Sequence, residues 1–209
     1  RPDQLLRYRA EWTGGFKRIL DQGILFSGGQ QDHAITQTGP GHSTILSGRF
    51  PAHTGIVTND LGVPDSLATL LGDQKAVGAS PRRFQGSTLA DWMLARDSSV
   101  RVLAVAMKDR AAILPVGRSR EQVYWWSTMG FFTTSRYYRD SLPGWVADWN
   151  SREPVKALAG RVWNLTMPES AYPEADSLPA EKGLDGRQTF PHALPADPAS
   201  AATQLSHFP

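Results

Sequence analysis

The chain has 209 residues, the length of one domain or a large part of one, and 40% of them are hydrophobic, enough to build a core. Twenty-two basic and 20 acidic residues give a net charge of +2, and no run of lysine or arginine marks a nucleic-acid surface, so nucleic-acid binding is not expected. The lack of cysteine excludes disulfides, thiolate nucleophiles and Cys-based zinc sites, and no apolar stretch reaches the roughly 18 residues of a membrane span.

Phe16, Ile19 and Leu20 stand at i, i+3 and i+4 ahead of Gly23, which predicts a short helix over 14–22. Ile24-Leu25-Phe26 then predicts a strand, and Gly28-Gly29 a turn. Gly39-Pro40-Gly41 predicts a turn that leads into a helix at Ser43-Thr44-Ile45-Leu46 and leaves Thr38 on the loop before it. Residues 59–87 are rich in Gly, Pro, Asp and Ser and read as irregular connection, broken by one helix over 66–72.

Thr88 and Asp91 have the spacing of a capping box for a helix over 88–96, with Leu89, Trp92 and Met93 on one face. Val102-Leu103-Ala104-Val105-Ala106 is a continuous apolar run flanked by charge, the pattern of a buried parallel strand. Lys108-Asp109-Arg110 follow at its C-terminal end, where open α/β sheets bind ligands. The aromatic stretch 122–138 predicts a hairpin turning at Thr128-Met129-Gly130; a sugar- or base-stacking surface is the alternative for the rings of 124–149. Leu142-Pro143-Gly144 opens a short helix through Trp149, Asn164-Leu165-Thr166 matches a glycosylation sequon, and from about 165 onward no periodicity is visible. No internal repeat occurs, and the alternation of helix and strand argues α/β.

Chemistry concentrates around Thr38. A threonine hydroxyl is a poor nucleophile until a base or metal deprotonates it. Ahead of a helix start it would face backbone N–H groups and a dipole suited to an anion. By composition alone, Thr38 reads as a turn residue and Lys108-Asp109-Arg110 as a surface triplet.

The wider segment changes that balance. His33 to His42 (HAITQTGPGH) runs on to Ser47-Gly48-Arg49-Phe50-Pro51 and to Gly55-Ile56-Val57-Thr58-Asn59. This resembles the nucleophile segment of the alkaline phosphatase superfamily. The similar branch includes type I phosphodiesterases, nucleotide pyrophosphatases and threonine-nucleophile bacterial alkaline phosphatases. Residues 1–8 (RPDQLLRY), 14–23 (GGFKRILDQG), 108–113 (KDRAAI), 132–138 (FTTSRYY) and 168–172 (PESAY) also look like that branch, so the resemblance covers nearly the whole chain.

The resemblance implies a three-layer α/β fold with a mostly parallel central sheet and flanking helices, present here as one partial domain over 1–209. It implies that Thr38 is the nucleophile and forms a phosphothreonine intermediate, with Asn59, Lys108 and Arg110 binding the phosphoryl oxygens. A Lys-x-Arg pair implies a phosphate monoester as substrate, a phosphorylated small molecule; a diesterase or pyrophosphatase on the same scaffold is the alternative. The sulfatase branch is disfavoured, since no Cys/Ser-x-Pro-x-Arg context occurs.

Two zinc ions are implied, with Thr38 as one ligand. Their remaining Asp and His ligands fall outside the chain, one ahead of Asp3 and the others downstream. Asp3 itself, His33 and His42 are not ligands in that pattern, and His53, His192 and His207 read as surface or loop residues. The chain, which begins at Arg1, thus reads as truncated at both ends. The whole is expected to be periplasmic or secreted, and this piece alone is expected to be inactive.

Overall fold

A computed structural model describes residues 2–177, 183 and 185–205; His207 lies outside the described residues. The chain divides into two compact units, one ending at Ala34 and the other starting at Ile35, where the sequence suggests a single partial domain. The first unit holds α1 (Pro2–Arg7), which carries Asp3, a 3-10 turn at Arg9–Glu11, and α2 (Gly15–Gln22). Helix α2 matches its predicted span, and Lys17 and Arg9 converge on Asp21 at 2.8 and 3.1 Å. These exposed pairs hold the Asp21 carboxyl below its ordinary range, Lys17 contributing most. Ile24, Leu25 and Phe26 do not form the predicted strand. They are exposed coil, because among the described residues no strand pairs with them.

The second unit opens with α3 (Thr38–Ser47) and α4 (Pro51–Thr54), each closed by a left-handed glycine, Gly48 and Gly55. Residues 56–84 are irregular, as predicted, yet they build the core: Ile56, Val63, Leu70, Ala79 and Phe84 are buried together. The helix predicted over 66–72 is absent. Leu71 N–H instead donates to the Thr134 carbonyl at 2.9 Å and Leu70 bridges Ser135, so this stretch pairs in extended form with a distant segment.

Helix α5 (Leu89–Arg96) starts at the predicted capping box. Thr88 N–H donates to Asp91 Oδ2 at 2.7 Å, and Thr88 Oγ1 donates to the Val116 carbonyl at 3.0 Å, tying the start of α5 to a residue 28 positions on. Its predicted apolar face is open to solvent, however. Leu89, Trp92 and Met93 are exposed, and Ala90 is the buried position.

Strand β1 (Leu103–Ala106) leads into α6 (Asp109–Val116), then β2 (Gln122–Ser127) and β3 (Phe131–Thr133). Leu103 pairs in parallel with Gln122, and Trp125 pairs antiparallel with Thr133, giving the order β1-β2-β3. Of the mostly parallel sheet expected, the described residues therefore contain one parallel pairing. Strand β1 is not buried as predicted: it sits at the sheet edge, with Leu103 and Val105 more than half exposed. The β2–β3 hairpin turns at Gly130, whose φ of 93° lies in the region only glycine enters cheaply.

The aromatic stretch packs rather than presenting a stacking face. Tyr124, Trp125 and Trp126 are buried, with Trp126 edge-on to Phe132 at 5.2 Å and Tyr124 edge-on to Trp145 at 5.1 Å. Burial pushes the Tyr138 hydroxyl well above its ordinary range.

The unit continues with α7 (Gly144–Ser151), α8 (Pro154–Leu158), β4 (Val162–Trp163), β5 (His192–Ala193) and α9 (Pro198–Gln204). His192 is not the surface residue expected. It is buried in β5, and its Nδ1–H donates to Asp185 Oδ1 at 3.1 Å. The Ala193 N–H at 2.9 Å and this histidine bond lower the Asp185 carboxyl to about 2.

Two outcomes follow. Thr88→Val keeps the shape but removes the cap and the bond to Val116, and should cost about 1–3 kcal/mol in urea unfolding. Asp185 has a depressed native pKa, so its contribution is complete above the unfolded carboxylate value, about 4, and is lost as pH falls through about 2. The stability gap between wild type and Asp185→Asn should therefore close across that window, as followed by urea midpoints against pH.

Candidate functional site at the start of helix α3

Thr38 is the first residue of α3 rather than a loop residue, with Gln37 as the N-cap. Gly39-Pro40-Gly41 forms the first helical turn instead of a turn before it. Proline is tolerated there because the N–H it lacks would have had no intrahelical partner. The buried face of α3 is made of small residues, Gly39, Pro40, Ser43 and Ser47, and against it packs α6. Ser43 and Thr44 hydroxyls both donate to the Pro40 carbonyl, at 2.8 and 2.9 Å, which holds this first turn rigid.

The helix start uses its donors unequally. Gly41 N–H bonds the Gln37 carbonyl at 3.0 Å, Pro40 has no N–H, and Gly39 N–H donates to Asn59 Oδ1 at 2.7 Å. Among the described residues, the Thr38 N–H and Oγ1 have no hydrogen-bond partner. Gly39 is also where Asn59 comes closest: a Cβ there would sit 3.3 Å from both Asn59 Oδ1 and the Thr58 carbonyl. Because a backbone N–H can only donate, the Asn59 amide is oriented without ambiguity. Its oxygen faces Gly39, and its Nδ2 has no partner among the described residues.

Lys108 is the exposed N-cap of α6, and Arg110 lies in that helix's first turn, half-buried. Their backbone follows directly on the C-terminal end of β1, as predicted. Asp109 Oδ1 accepts the Arg110 N–H at 2.6 Å and lies 3.5 Å from Arg110 Nε, which is buried and makes no hydrogen bond. The anionic oxygen facing this buried nitrogen is that of Asp109. The structure thus links Thr38 and Asn59 through Gly39, and places Lys108 and Arg110 at the start of the helix that packs on α3.

Among the described residues, no base is hydrogen-bonded to the Thr38 hydroxyl. The nearby His42 has its Nδ1 2.9 Å from the Thr38 carbonyl, so Nδ1 carries the proton and donates there. It braces the helix turn, as the sequence suggested. His53 is exposed on α4, and His33 belongs to the first unit. A cavity of about 450 Å³ beside Trp163, Tyr172 and Phe190 includes none of the four candidate residues.

The two zinc ions implied by resemblance do not fit the described residues, which contain no group of three or more His, Cys, Asp or Glu that could hold a metal. Three protein ligands are the usual minimum for a catalytic zinc. Among the described residues, Thr38 Oγ1 is the one ligand that the resemblance assigns. Among the described residues, no helix is long and apolar enough to cross a membrane.

Thr38 at one helix start is tied through Gly39 to Asn59, and Lys108 and Arg110 stand at the start of α6, which packs on α3. Residues 1–183 match the family model for type I phosphodiesterases and nucleotide pyrophosphatases, and the chain belongs to that family. It is 35% identical over 91% of its length to alkaline phosphatase PafA from Elizabethkingia meningoseptica, and 34% identical over 91% to alkaline phosphatase PhoV from Synechococcus elongatus. In both cases it spans 38% of the relative.

The crystal structure of wild-type PafA superposes with a TM-score of 0.83 at 33% identity, over 94% of this chain and 41% of that one. This similarity establishes the alkaline-phosphatase-like α/β fold, present here in part. A PafA variant with one threonine, one asparagine, one lysine and one arginine substituted superposes with a TM-score of 0.80 at 29% identity, over 98% and 41%.

Gln37 and Gly39 were not singled out from sequence as site residues. Gly39 was visible as part of the Gly-Pro-Gly pattern, but the bond from Gly39 to Asn59 spans 20 residues and left no local signal. Gly39→Ala should push Asn59 away from the helix start and speed solvent exchange of the residue-39 amide about tenfold, as measured by NMR, with the fold kept.

Proposed function

We propose that this chain carries the nucleophile side of a phosphate monoester hydrolase. Thr38 Oγ1 loses its proton to solvent and attacks phosphorus, the bond from phosphorus to the leaving alkoxide breaks and that alkoxide takes a proton from water, and the phosphoryl group rests on Thr38 as phosphothreonine until water displaces it as inorganic phosphate, returning a proton to Oγ1. The observation that carries this reading is the free hydroxyl and free N–H of Thr38 beside an asparagine whose amide is locked with Nδ2 unpaired. Asn59 Nδ2 and the Thr38 N–H then donate to phosphoryl oxygens, and Lys108 and Arg110 offset the charge that grows in the transition state.

The PafA variant supports the assignment. Its threonine and asparagine are separated by the same interval as Thr38 and Asn59, and its lysine and arginine by one residue, like Lys108 and Arg110. A monoester carries more negative charge than a diester, and two cations beside the nucleophile suit it. Two relatives named alkaline phosphatases point the same way.

The zinc ions, if they take part, would use Thr38 Oγ1 and ligands beyond the described residues. By the same resemblance, the location would be periplasmic or secreted, which cell fractionation would check.

A second reading, phosphodiester or pyrophosphate hydrolysis, is favoured by the family model itself. A third reading is an inactive remnant, in keeping with the described residues holding no group of three or more metal-ligating side chains.

In a polypeptide that carries this sequence and hydrolyses phosphate esters, Thr38→Ala should lower kcat/KM at least about a thousandfold. Arg110→Ala should cost roughly a hundredfold on a monoester and clearly less on a diester. Equal losses on both substrates would favour the diesterase reading, undiminished turnover by Thr38→Ala would remove the nucleophile assignment, and no phosphate release before substitution would favour the remnant.

A further inference from the structure

Gln37 has an unusual job for the residue that begins a helix. Ser, Thr, Asp and Asn are the favoured N-caps because their short side chains accept a helix N–H. Gln37 makes no such bond. Its Oε1 instead accepts the backbone N–H of Asn59 at 3.0 Å, across 22 residues of sequence. Only an oxygen can accept from that N–H, so the Gln37 amide is oriented too.

Two bonds therefore run in opposite senses between the residues flanking Thr38 and the single residue Asn59. Gly39 N–H donates to the Asn59 side chain, and Asn59 N–H donates to the Gln37 side chain. The Gln37 backbone is itself pinned, its carbonyl accepting Gly41 N–H at 3.0 Å. The Asn59 carbonyl also accepts the Gly62 N–H at 3.3 Å, which holds this backbone within its own loop. The Gln37 bond is the one that ties the Asn59 backbone to the start of α3.

We infer that Gln37 is a positioning residue: it holds the Asn59 backbone so that Nδ2 stays aimed at a phosphoryl group on or near Thr38. This rests on the proposed phosphoryl role of Asn59. Gln37 itself is exposed and touches no reacting atom in this account, so its effect passes through Asn59.

The test uses the chain as it stands, with two variants. Gln37→Met keeps the side-chain length without the acceptor, and Gln37→Glu keeps an acceptor oxygen. Solvent-exchange NMR should show the Asn59 amide exchanging roughly five- to tenfold faster in Gln37→Met and near the wild-type rate in Gln37→Glu. An unchanged rate in Gln37→Met would overturn the link.

The second readout is affinity for inorganic phosphate in a double-mutant cycle with Asn59→Ala. Gln37→Met should weaken phosphate binding several-fold when Asn59 is present and not at all when it is Ala. The same loss in both backgrounds would make Gln37 a general structural residue and overturn the inference. A wild-type chain that binds no phosphate would defeat the proposed function instead, and the exchange comparison alone would then uphold or overturn the Gln37–Asn59 link.

Discussion

The hydrogen bond from Gly39 N–H to Asn59 Oδ1, at 2.7 Å, is the constraint on which the rest of the candidate site depends. It spends one helix-start donor on a protein acceptor, while Pro40 removes another, so the donor left at the start of α3 is that of Thr38 itself. It also turns the Asn59 amide so that only its nitrogen can meet a ligand. Glycine suits position 39, because a Cβ there would sit 3.3 Å from Asn59 Oδ1 and the Thr58 carbonyl, and these would have to give way. The Gly-Pro pair after Thr38 is thus explained by what each residue lacks: one a Cβ, the other an N–H.

The frame that holds this bond is built from small residues. Ser43 and Ser47 bury their hydroxyls within α3, and Ser43 Oγ lies 3.2 Å from Thr54 Oγ1 on α4. Such a face lets α6 approach closely, which brings the helix that starts at Lys108 and Arg110 against α3. Behind α6, Ile113 and Leu114 are fully buried with Ile56, Phe84 and Val123. Burying such side chains supplies about 1.5–3 kcal/mol each. The charged groups at the start of α6 are therefore mounted on a rigid core element.

The candidate residues were legible in the sequence because they lie in local patterns: threonine, Gly-Pro-Gly, then a Gly-Ile pair before an asparagine, and Lys-x-Arg after an apolar strand. What was not legible depends on partners far along the chain. Ile24-Leu25-Phe26 has the composition of a strand, but composition does not supply a neighbour to pair with. Leu70 and Leu71 sit in a helix-like pattern, yet residues 134 and 135 recruit them into extended pairing. The edge position of β1 and the burial of His192 were hidden for the same reason. Helix α9 is a different case. Asp197 accepts Ser200 N–H at 2.9 Å with Pro198 at the first position, a local start signal that lay within an otherwise irregular tail.

The central claim is that Thr38 carries the phosphoryl group during turnover. The most direct measurement is peptide mapping by mass spectrometry after a phosphate monoester is mixed with an active polypeptide bearing this sequence and the reaction is quenched in acid. The account predicts a phosphate adduct on the peptide containing Thr38, and none on that peptide in Thr38→Ala. Turnover with no adduct at Thr38, or an adduct on another residue, would contradict it.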